Sequence, residues 1–172
     1  MATTLVSVVT QRGKERMAEA IGGLISGTLS PGLVNEAILP VFYQLGDRVV
    51  PPLVPVAPPD PTFTALIEPV ATVFQKALTT NDIQVLVPPH TIITAGGTTV
   101  DATVNIAEPT LRIRIFADVN EAVFSPAKVV SEMGIFVQFD PNPPDLFVYG
   151  TFSPPFAKSA GLTVDFFVDV KI

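Results

Sequence analysis

The chain has 172 residues and a net charge of −6 at pH 7; 48% of its residues are hydrophobic and 15% are charged. The charged fraction is well below the roughly 25% that is usual in soluble domains, so we expect part of the apolar surface to meet other subunits. The 10 basic residues form no cationic stripe that could neutralise phosphates, which argues against nucleic-acid binding. The absence of cysteine excludes disulfides and thiolate metal sites and fits synthesis in a reducing cytoplasm.

The hydrophobic segments of the chain are short. Prolines, glycines or polar residues interrupt each of them before the roughly 20 apolar residues that span a bilayer, so we expect no membrane insertion. At the N-terminus, Arg12, Lys14 and Arg16 follow the apolar residues instead of preceding them, which is the wrong order for a secretory signal. The length fits a single domain over residues 1–172.

The first elements of the chain are a strand and a helix. Residues Leu5 to Val9 predict a short strand, and Thr10 is a suitable N-cap for a helix over residues 11–27. Ser30-Pro-Gly32 then turns the chain toward a second strand, from about Glu36 to Leu45.

A proline-rich segment over residues 48–61 comes next. It contains 6 prolines within 11 residues, which exclude a helix or a central strand because the proline ring fixes φ and removes the amide donor. The segment predicts an extended arm or a long loop. It fits a solvated connector, or an arm laid over a neighbouring subunit, for which the apolar Leu53, Val54 and Val56 are candidate contacts.

The remainder of the chain predicts one more helix and then mainly strands. Residues Thr62 to Leu78 have an apolar side at helical spacing, interrupted near Pro69. From residue 83 to 172 the pattern is that of antiparallel strands separated by turns, one of them at Pro154-Pro155. The predicted strands are Ile83–Val87, Thr91–Thr94, Thr98–Ile106, Leu111–Phe116, Val129–Phe136, Leu146–Phe152 and Leu162–Ile172.

These elements together predict an α+β fold. N-terminal helices would precede an antiparallel, sandwich-like sheet domain with a proline-rich extended arm.

Residues suited to catalysis are scarce. His90 is the only histidine, so a histidine metal cluster is impossible. Asp165 and Asp169 share a strand face about 13 Å apart, which is too far for a glycosidase pair, and they read as a solubilising edge. Glu132 lies in an apolar strand and requires a hydrogen-bond or cationic partner. We therefore predict no catalytic, metal or cofactor site, and no enzyme activity.

A series of short motifs resembles the N-terminal domain of bacteriophage tail-collar fibre proteins, in the same order and at similar spacing over nearly the whole chain. In that family a glycine-containing helix start is followed by a strand that ends in a Leu/Val-Gly-Asp-Gly-like turn, a Thr-Ala-Leu segment, a Glu-Ile-Gly-Leu-Phe-like strand and its hairpin partner. This chain departs from the turn pattern at Arg48, where the family usually has the second glycine. The matching motifs here are Thr10-Gln-Arg-Gly13, Tyr43-Gln-Leu-Gly-Asp47, Thr64-Ala-Leu66, Glu132-Met-Gly-Ile-Phe136 and Leu146-Phe-Val-Tyr-Gly-Thr-Phe152.

The resemblance implies a structural virion protein, an adaptor at the baseplate or tail collar that attaches tail fibres through protein contacts. Its partners would be other tail or baseplate proteins, fibre subunits and further copies of itself, in a trimer. It would be made in the host cytoplasm and incorporated into the virion. Family fibres continue into a shaft and a receptor-binding tip, so this chain would correspond to the attachment end.

Two related roles stay open at this point. A phage-derived contractile injection system uses the same kind of part, and a host-surface module could instead bind a carbohydrate or protein directly. The candidate interface positions, besides the three on the arm, are Phe156, as an anchor on the loop after Pro154-Pro155, and Phe167, an apolar residue on an otherwise polar strand face. The alternative for each candidate is local packing against the chain's own sheet.

Overall fold

The structure is a computed structural model that describes residues 3–15, 17, 39–47, 61–66, 72–138 and 144–171. Of these residues, 59% lie in strands. The strands are β1 (Thr4–Val9), β2 (Leu39–Gly46), β3 (Thr72–Ala77), β4 (Ile83–Val87), β5 (Thr91–Thr94), β6 (Gly97–Val100), β7 (Thr110–Ala117), β8 (Lys128–Gln138), β9 (Asp145–Lys158) and β10 (Val164–Lys171).

The chain divides into two compact units, each built on one antiparallel sheet. Unit 1 comprises Met1–Ala77 and Val123–Ser159, and its five-stranded sheet has the order β1-β9-β8-β2-β3. Unit 2 comprises Leu78–Ala122 and Ala160–Ile172, with a five-stranded sheet in the order β10-β7-β4-β5-β6. The prediction of a single domain over residues 1–172 stays a prediction.

The core of unit 1 is formed by its central strands. Residues 130–137 of β8 and 146–152 of β9 are buried without interruption, which is why the sequence shows them as continuous apolar runs. Strand β9 continues through Pro154 and Pro155, which therefore lie inside a strand and not in the predicted turn. The pairing of β8 with β9 shifts register between Val130 and Glu132, and such a shift accommodates residues that cannot donate to the ladder.

Unit 2 shows the alternation of a sheet with one polar face. In β7, Ile113 and Ile115 are fully buried, and in β10 Val168 and Val170 are nearly so, whereas the residues between them are partly or fully exposed. The strand predicted over Thr98–Ile106 ends at Val100. Beyond it the side chain of Asp101 accepts a hydrogen bond from the backbone N–H of Thr103 at 2.9 Å, a turn that competes with strand pairing.

The predicted α+β fold class is wrong, since the fold is mostly β. Helix α1 covers residues 11–15 and 17, and it is the only α-helix in the part of the chain that the structure describes; the predicted continuation to residue 27 lies outside those residues. The second predicted helix is wrong in its described part, because residues 62–66 form a turn and a bend and Thr72–Ala77 forms β3 against β2. A short apolar run fits either period, and here cross-strand contacts decide it. Phe74 is buried, and its ring centroid lies 5.9 Å from that of Tyr43.

The arm predicted over residues 48–61 lies outside the described residues except for Pro61, whose carbonyl accepts a hydrogen bond from the backbone N–H of Gln11 at 2.6 Å. Strands β4 and β5 have the bounds predicted from the sequence. No helix among the described residues is both long and apolar enough to cross a membrane.

Thr10 joins the first strand to the helix. Its backbone N–H donates to the carbonyl of Phe147 at 2.8 Å, and its hydroxyl donates to the carbonyl of Leu146. The same hydroxyl oxygen accepts from the backbone N–H of Gly13 at 3.0 Å, as expected of an N-cap. Thr10 is fully buried, so one side chain both caps the helix and fastens it to β9.

Substituting Thr10→Ala should lower the free energy of unfolding by about 1–3 kcal/mol, because the helix loses its cap and a buried carbonyl loses its donor. Urea denaturation followed by circular dichroism measures this. Thr163→Ala, at an exposed position before β10, is the matched control and should stay within about 0.5 kcal/mol of the unsubstituted chain. Equal effects of the two substitutions would contradict the assigned role of Thr10.

Candidate functional site

The candidate interface residues fall in different places. Leu53, Val54 and Val56 lie outside the described residues. Phe156 is half-buried within β9, opposite Val130 of β8, and its ring lies edge-on to Phe152 with centroids 5.0 Å apart. Phe156 is thus in a strand and not in a loop.

Phe167 remains on the surface, with 49% of its area exposed. It lies on the polar face of β10, directly opposite Arg114 of β7. The guanidinium of Arg112 lies over its ring, 5.4 Å from the centroid. Its neighbours on this face are therefore charged side chains, and the interface assignment of Phe167 stays a prediction.

Two ion pairs cross from β7 to β10 on this face. Arg112 donates from Nε and Nη2 to the two carboxyl oxygens of Asp169, both at 2.7 Å. Arg114 donates in the same way to Asp165, at 2.9 and 2.6 Å. Bidentate geometry fixes the planes of both groups and makes these the stronger kind of exposed pair. We call the exposed surface formed by Arg112, Arg114, Phe116, Asp165, Phe167 and Asp169 the β7–β10 ladder.

The ladder also carries stacked cations. The guanidinium of Arg114 lies 4.7 Å from the ring centroid of Phe116, so each arginine has one carboxylate and one aromatic partner. Cation–π contacts at exposed sites are weak because water screens them. The ladder thus combines ion pairs with aromatic contacts on one exposed sheet face.

The sequence revealed the charges of the ladder but not their pairing. The sequence alone indicates that Arg112 and Arg114 lie on one strand face as a solvated or interfacial pair, and that Asp165 and Asp169 form a solubilising edge. Alternation along each strand places these residues on one face of it. The missing information was that β10 is the neighbour of β7, which depends on contacts distant in the chain.

The most buried ionisable group among the sequence candidates is Glu132. Its exposure is 0%, and the hydroxyl of Tyr149 donates to its Oε2 at 2.6 Å. The expectation that Glu132 needs a hydrogen-bond partner is therefore met, and that partner lies on the adjacent strand β9. A hydrogen bond to a buried carboxyl stabilises by more than a neutral pair.

The segments that carry the resemblance meet around this pair. The ring of Phe63 lies edge-on to Tyr149, with centroids 5.0 Å apart, and Leu66 packs with it against a cluster that contains Phe136 and Leu146. Thr10 is bound to the carbonyl of Leu146 in the same strand. Motifs far apart in the sequence are thus neighbours in unit 1.

Glycines make this close approach possible. A Cβ on Gly46 would lie 2.7 Å from both Cγ and Oε1 of Glu132, and a Cβ on Gly134 would lie 2.8 Å from Cδ1 of Leu146. A Cβ on Gly13 would lie 2.7 Å from the carbonyl oxygen of Phe147. Each glycine leaves the room that a neighbouring side chain or backbone group occupies, so these positions are set by packing.

Lys158 is a buried group that sequence reasoning missed. It has 0% exposure, its Nζ lies 4.7 Å from the ring centroid of Phe124, and it donates to the carbonyl of Ser159 at 2.9 Å. Because Pro154-Pro155 predicts a turn, Lys158 falls outside the strands that the sequence predicts. The strand that continues through these prolines buries the lysine.

The single histidine of the chain, His90, lies in unit 2. His90 lies next to Val104, with Nδ1 2.6 Å from its carbonyl oxygen, and so fastens the loop that follows β6. No group of three or more acidic, histidine or cysteine side chains able to hold a metal occurs among the described residues. A cleft of about 160 Å³ beside Glu108 and Lys171 is smaller than the roughly 300–1,000 Å³ typical of small-molecule sites.

The hydrogen bond between Tyr149 and Glu132 should stabilise unit 1. Substituting Tyr149→Phe leaves a buried carboxyl oxygen without its donor and should cost about 1–3 kcal/mol in the free energy of unfolding. A double-mutant cycle with Glu132→Gln, measured by urea denaturation, isolates the pairwise contribution. A coupling energy of zero would contradict the assigned interaction.

The Arg114–Asp165 pair should be detectable in a pH titration of the Asp165 carboxyl. The hydrogen bond from Arg114 lowers the pKa of the Asp165 carboxyl and raises the pKa of the guanidinium. The contribution of this pair to the free energy of unfolding is then fully present above the pKa of Asp165 in the unfolded chain, about 3.9. It is lost as the pH falls through the lower pKa of Asp165 in the folded chain.

In Arg114→Gln the pKa of Asp165 should rise toward that unfolded value, as measured by carboxyl NMR. Arg112→Gln, which removes the partner of Asp169, is the matched control and should leave the pKa of Asp165 unchanged. If Arg114→Gln left the pKa of Asp165 unchanged, the pairing of Arg114 with Asp165 would be contradicted.

The chain was compared with protein families, curated proteins and solved structures. No family model, no curated protein and no solved structure matches this chain. The functional interpretation therefore starts from the residues described above, the buried Glu132–Tyr149 pair and the exposed β7–β10 ladder.

Proposed function

We propose that the chain is a structural protein of a bacteriophage tail, an adaptor at the baseplate or tail collar that attaches fibres through protein contacts. The observation that carries this proposal is the meeting of the resembling motifs around Glu132 and Tyr149. Short apolar motifs are individually unspecific. Their convergence on one buried cluster in unit 1 is what a shared fold requires, and it supports the resemblance beyond the order of the motifs in the chain.

The surface of the chain agrees with a role in assembly. The charged fraction of 15% is low for a soluble domain, and several apolar side chains stay exposed on separate elements. Examples are Val6 in β1, Val100 in β6 and Phe167 in β10, exposed to 49%, 72% and 49%. Interfaces between subunits cover residues of this kind and combine them with polar rims.

The proposed partners are other tail or baseplate proteins, fibre subunits and further copies of the chain, and the proposed location is the virion. The test is to produce the chain together with the tail proteins encoded beside it. Affinity purification followed by light scattering gives the mass of any complex. The proposal expects a complex of defined stoichiometry with at least one of those tail proteins.

Phe167→Ser should weaken that complex if the ladder contacts the partner. Loss of one aromatic anchor from an interface costs about 2 kcal/mol or more, which reduces affinity by more than ten-fold. The fold should persist because Phe167 is half exposed. Leu162→Ser, at a residue with 54% exposure outside the strands, is the matched control, and circular dichroism checks the fold of both variants.

An equal loss of binding in the two variants would contradict the role of Phe167. Loss of fold in Phe167→Ser would assign the residue to packing within the chain. A monomer that ignores the tail proteins but binds host glycans would overturn the adaptor proposal in favour of a host-recognition module.

A further inference from the structure

Among the residues that the structure describes, β10 is the last strand of the sheet in unit 2. It pairs with β7 from Val164 to Lys171 without a shift in register. Natural proteins protect exposed strand edges with prolines, bulges and charged side chains. Strand β10 has no proline and no bulge, and its charges, Asp165, Asp169 and Lys171, all lie on the exposed face. A regular edge of this kind can pair with another strand whose charges are complementary.

We propose that β10 pairs with β10 of a second copy of this chain, antiparallel and about a two-fold axis at Val168. The two five-stranded sheets would then form one continuous sheet across a symmetric dimer. Such an interface is isologous, since the same residues contribute from both copies. The proposal does not depend on the proposed role in a phage tail.

The two faces of β10 restrict the register. Odd-numbered residues from Asp165 to Lys171 are exposed, whereas the even-numbered Val168 and Val170 are buried. A slip by one residue would place the polar row of one copy beside the apolar row of the other. The axis therefore lies where one residue is directly opposite the same residue of the other copy. The two longest registers have their axes at Phe167 and at Val168.

Charge selects between these two registers. With the axis at Phe167, Asp165 of each copy is opposite Asp169 of the other, which places like charges together twice. With the axis at Val168, Asp165 is opposite Lys171 of the other copy, again twice, and Phe167 is opposite Asp169. Directly opposed charges of opposite sign stabilise a strand pair, and like charges destabilise it. The charges of β10 are self-complementary only in the second register.

The ion pairs inside each copy extend this pattern. Arg114 contacts Asp165 at 2.6 Å, and Lys171 contacts Glu108 at 2.6 Å. Across the axis these would join into a row of alternating charges, Arg114 and Asp165 of one copy followed by Lys171 and Glu108 of the other. The pairs are exposed, so each contributes little alone and is screened by salt.

The dimer should be weak. One strand pair with its flanking side chains is a small interface compared with the roughly 1,200–2,000 Å² of stable complexes. We expect a dissociation constant on the order of micromolar or weaker, and an affinity that falls as salt is added.

The first experiment is sedimentation equilibrium of the purified full chain at low salt over a range of concentrations. Lys171→Glu places like charges opposite each other twice and should weaken the dimer about ten-fold. The exchange Asp165→Lys with Lys171→Glu restores opposite charges and should return most of the affinity. Lys14→Glu makes the same change of charge at an exposed residue of α1 and should have no effect.

A chain that is monomeric at all concentrations would overturn the proposal, and so would a dimer that Lys171→Glu does not weaken. Failure of the exchanged variant to recover affinity would also count against it. Circular dichroism establishes that each variant is folded.

A second measurement reports the register without changing any charge. The chain has no cysteine, so a cysteine introduced at Val168 faces its own copy across the proposed axis and should form a disulfide-linked dimer on mild oxidation. Val170→Cys is the matched control, because the two copies of residue 170 would lie about 13 Å apart, beyond the reach of a disulfide. Equal cross-linking at both positions, or none at 168, would overturn the proposal. These experiments use the chain alone, so their outcome is separate from that of the tail-protein test.

Discussion

The buried carboxyl of Glu132 is the constraint on which the rest of unit 1 depends. A carboxyl group in a protein interior is costly unless it is hydrogen-bonded, and Tyr149 supplies a donor from the neighbouring strand. That bond joins β8 to β9 inside the core. Gly46 leaves room for the carboxyl on the other side, since a Cβ there would lie 2.7 Å from Oε1. Phe63 and Leu66 then cover the cluster, and Thr10 fastens the helix start to β9.

Unit 2 uses charge in a different way. The ladder pairs are exposed, so they contribute less to stability than the buried pair does, but they fix which side chains stand opposite one another. Each arginine contacts a carboxylate and an aromatic ring, so the neighbours of Phe167 on this face are charged side chains. Unit 1 thus has a polar hydrogen bond inside its core, and unit 2 has paired charges on an exposed sheet face.

The sequence predicted most strands of this fold because alternation and proline-marked turns are local properties. The bounds of β4 and β5 were predicted, and so was the need of Glu132 for a partner. The class was wrong because Thr72–Ala77 fits a helical pattern as well as a strand, and its pairing with β2 decides the outcome. The identity of the partner of Glu132, the bidentate pairs of the ladder and the burial of Lys158 all depend on which strands become neighbours. Contacts between distant segments set that order, and no local pattern encodes it.

We propose that this chain joins parts of a phage tail through its surfaces. Electron cryomicroscopy of the particle that carries it, at a resolution that shows side chains, tests this proposal. We expect density for the chain where fibres meet the tail, with exposed residues such as Phe167 covered by neighbouring subunits. A particle that lacks the chain, or a chain at a fibre tip facing the host surface, would overturn the proposal.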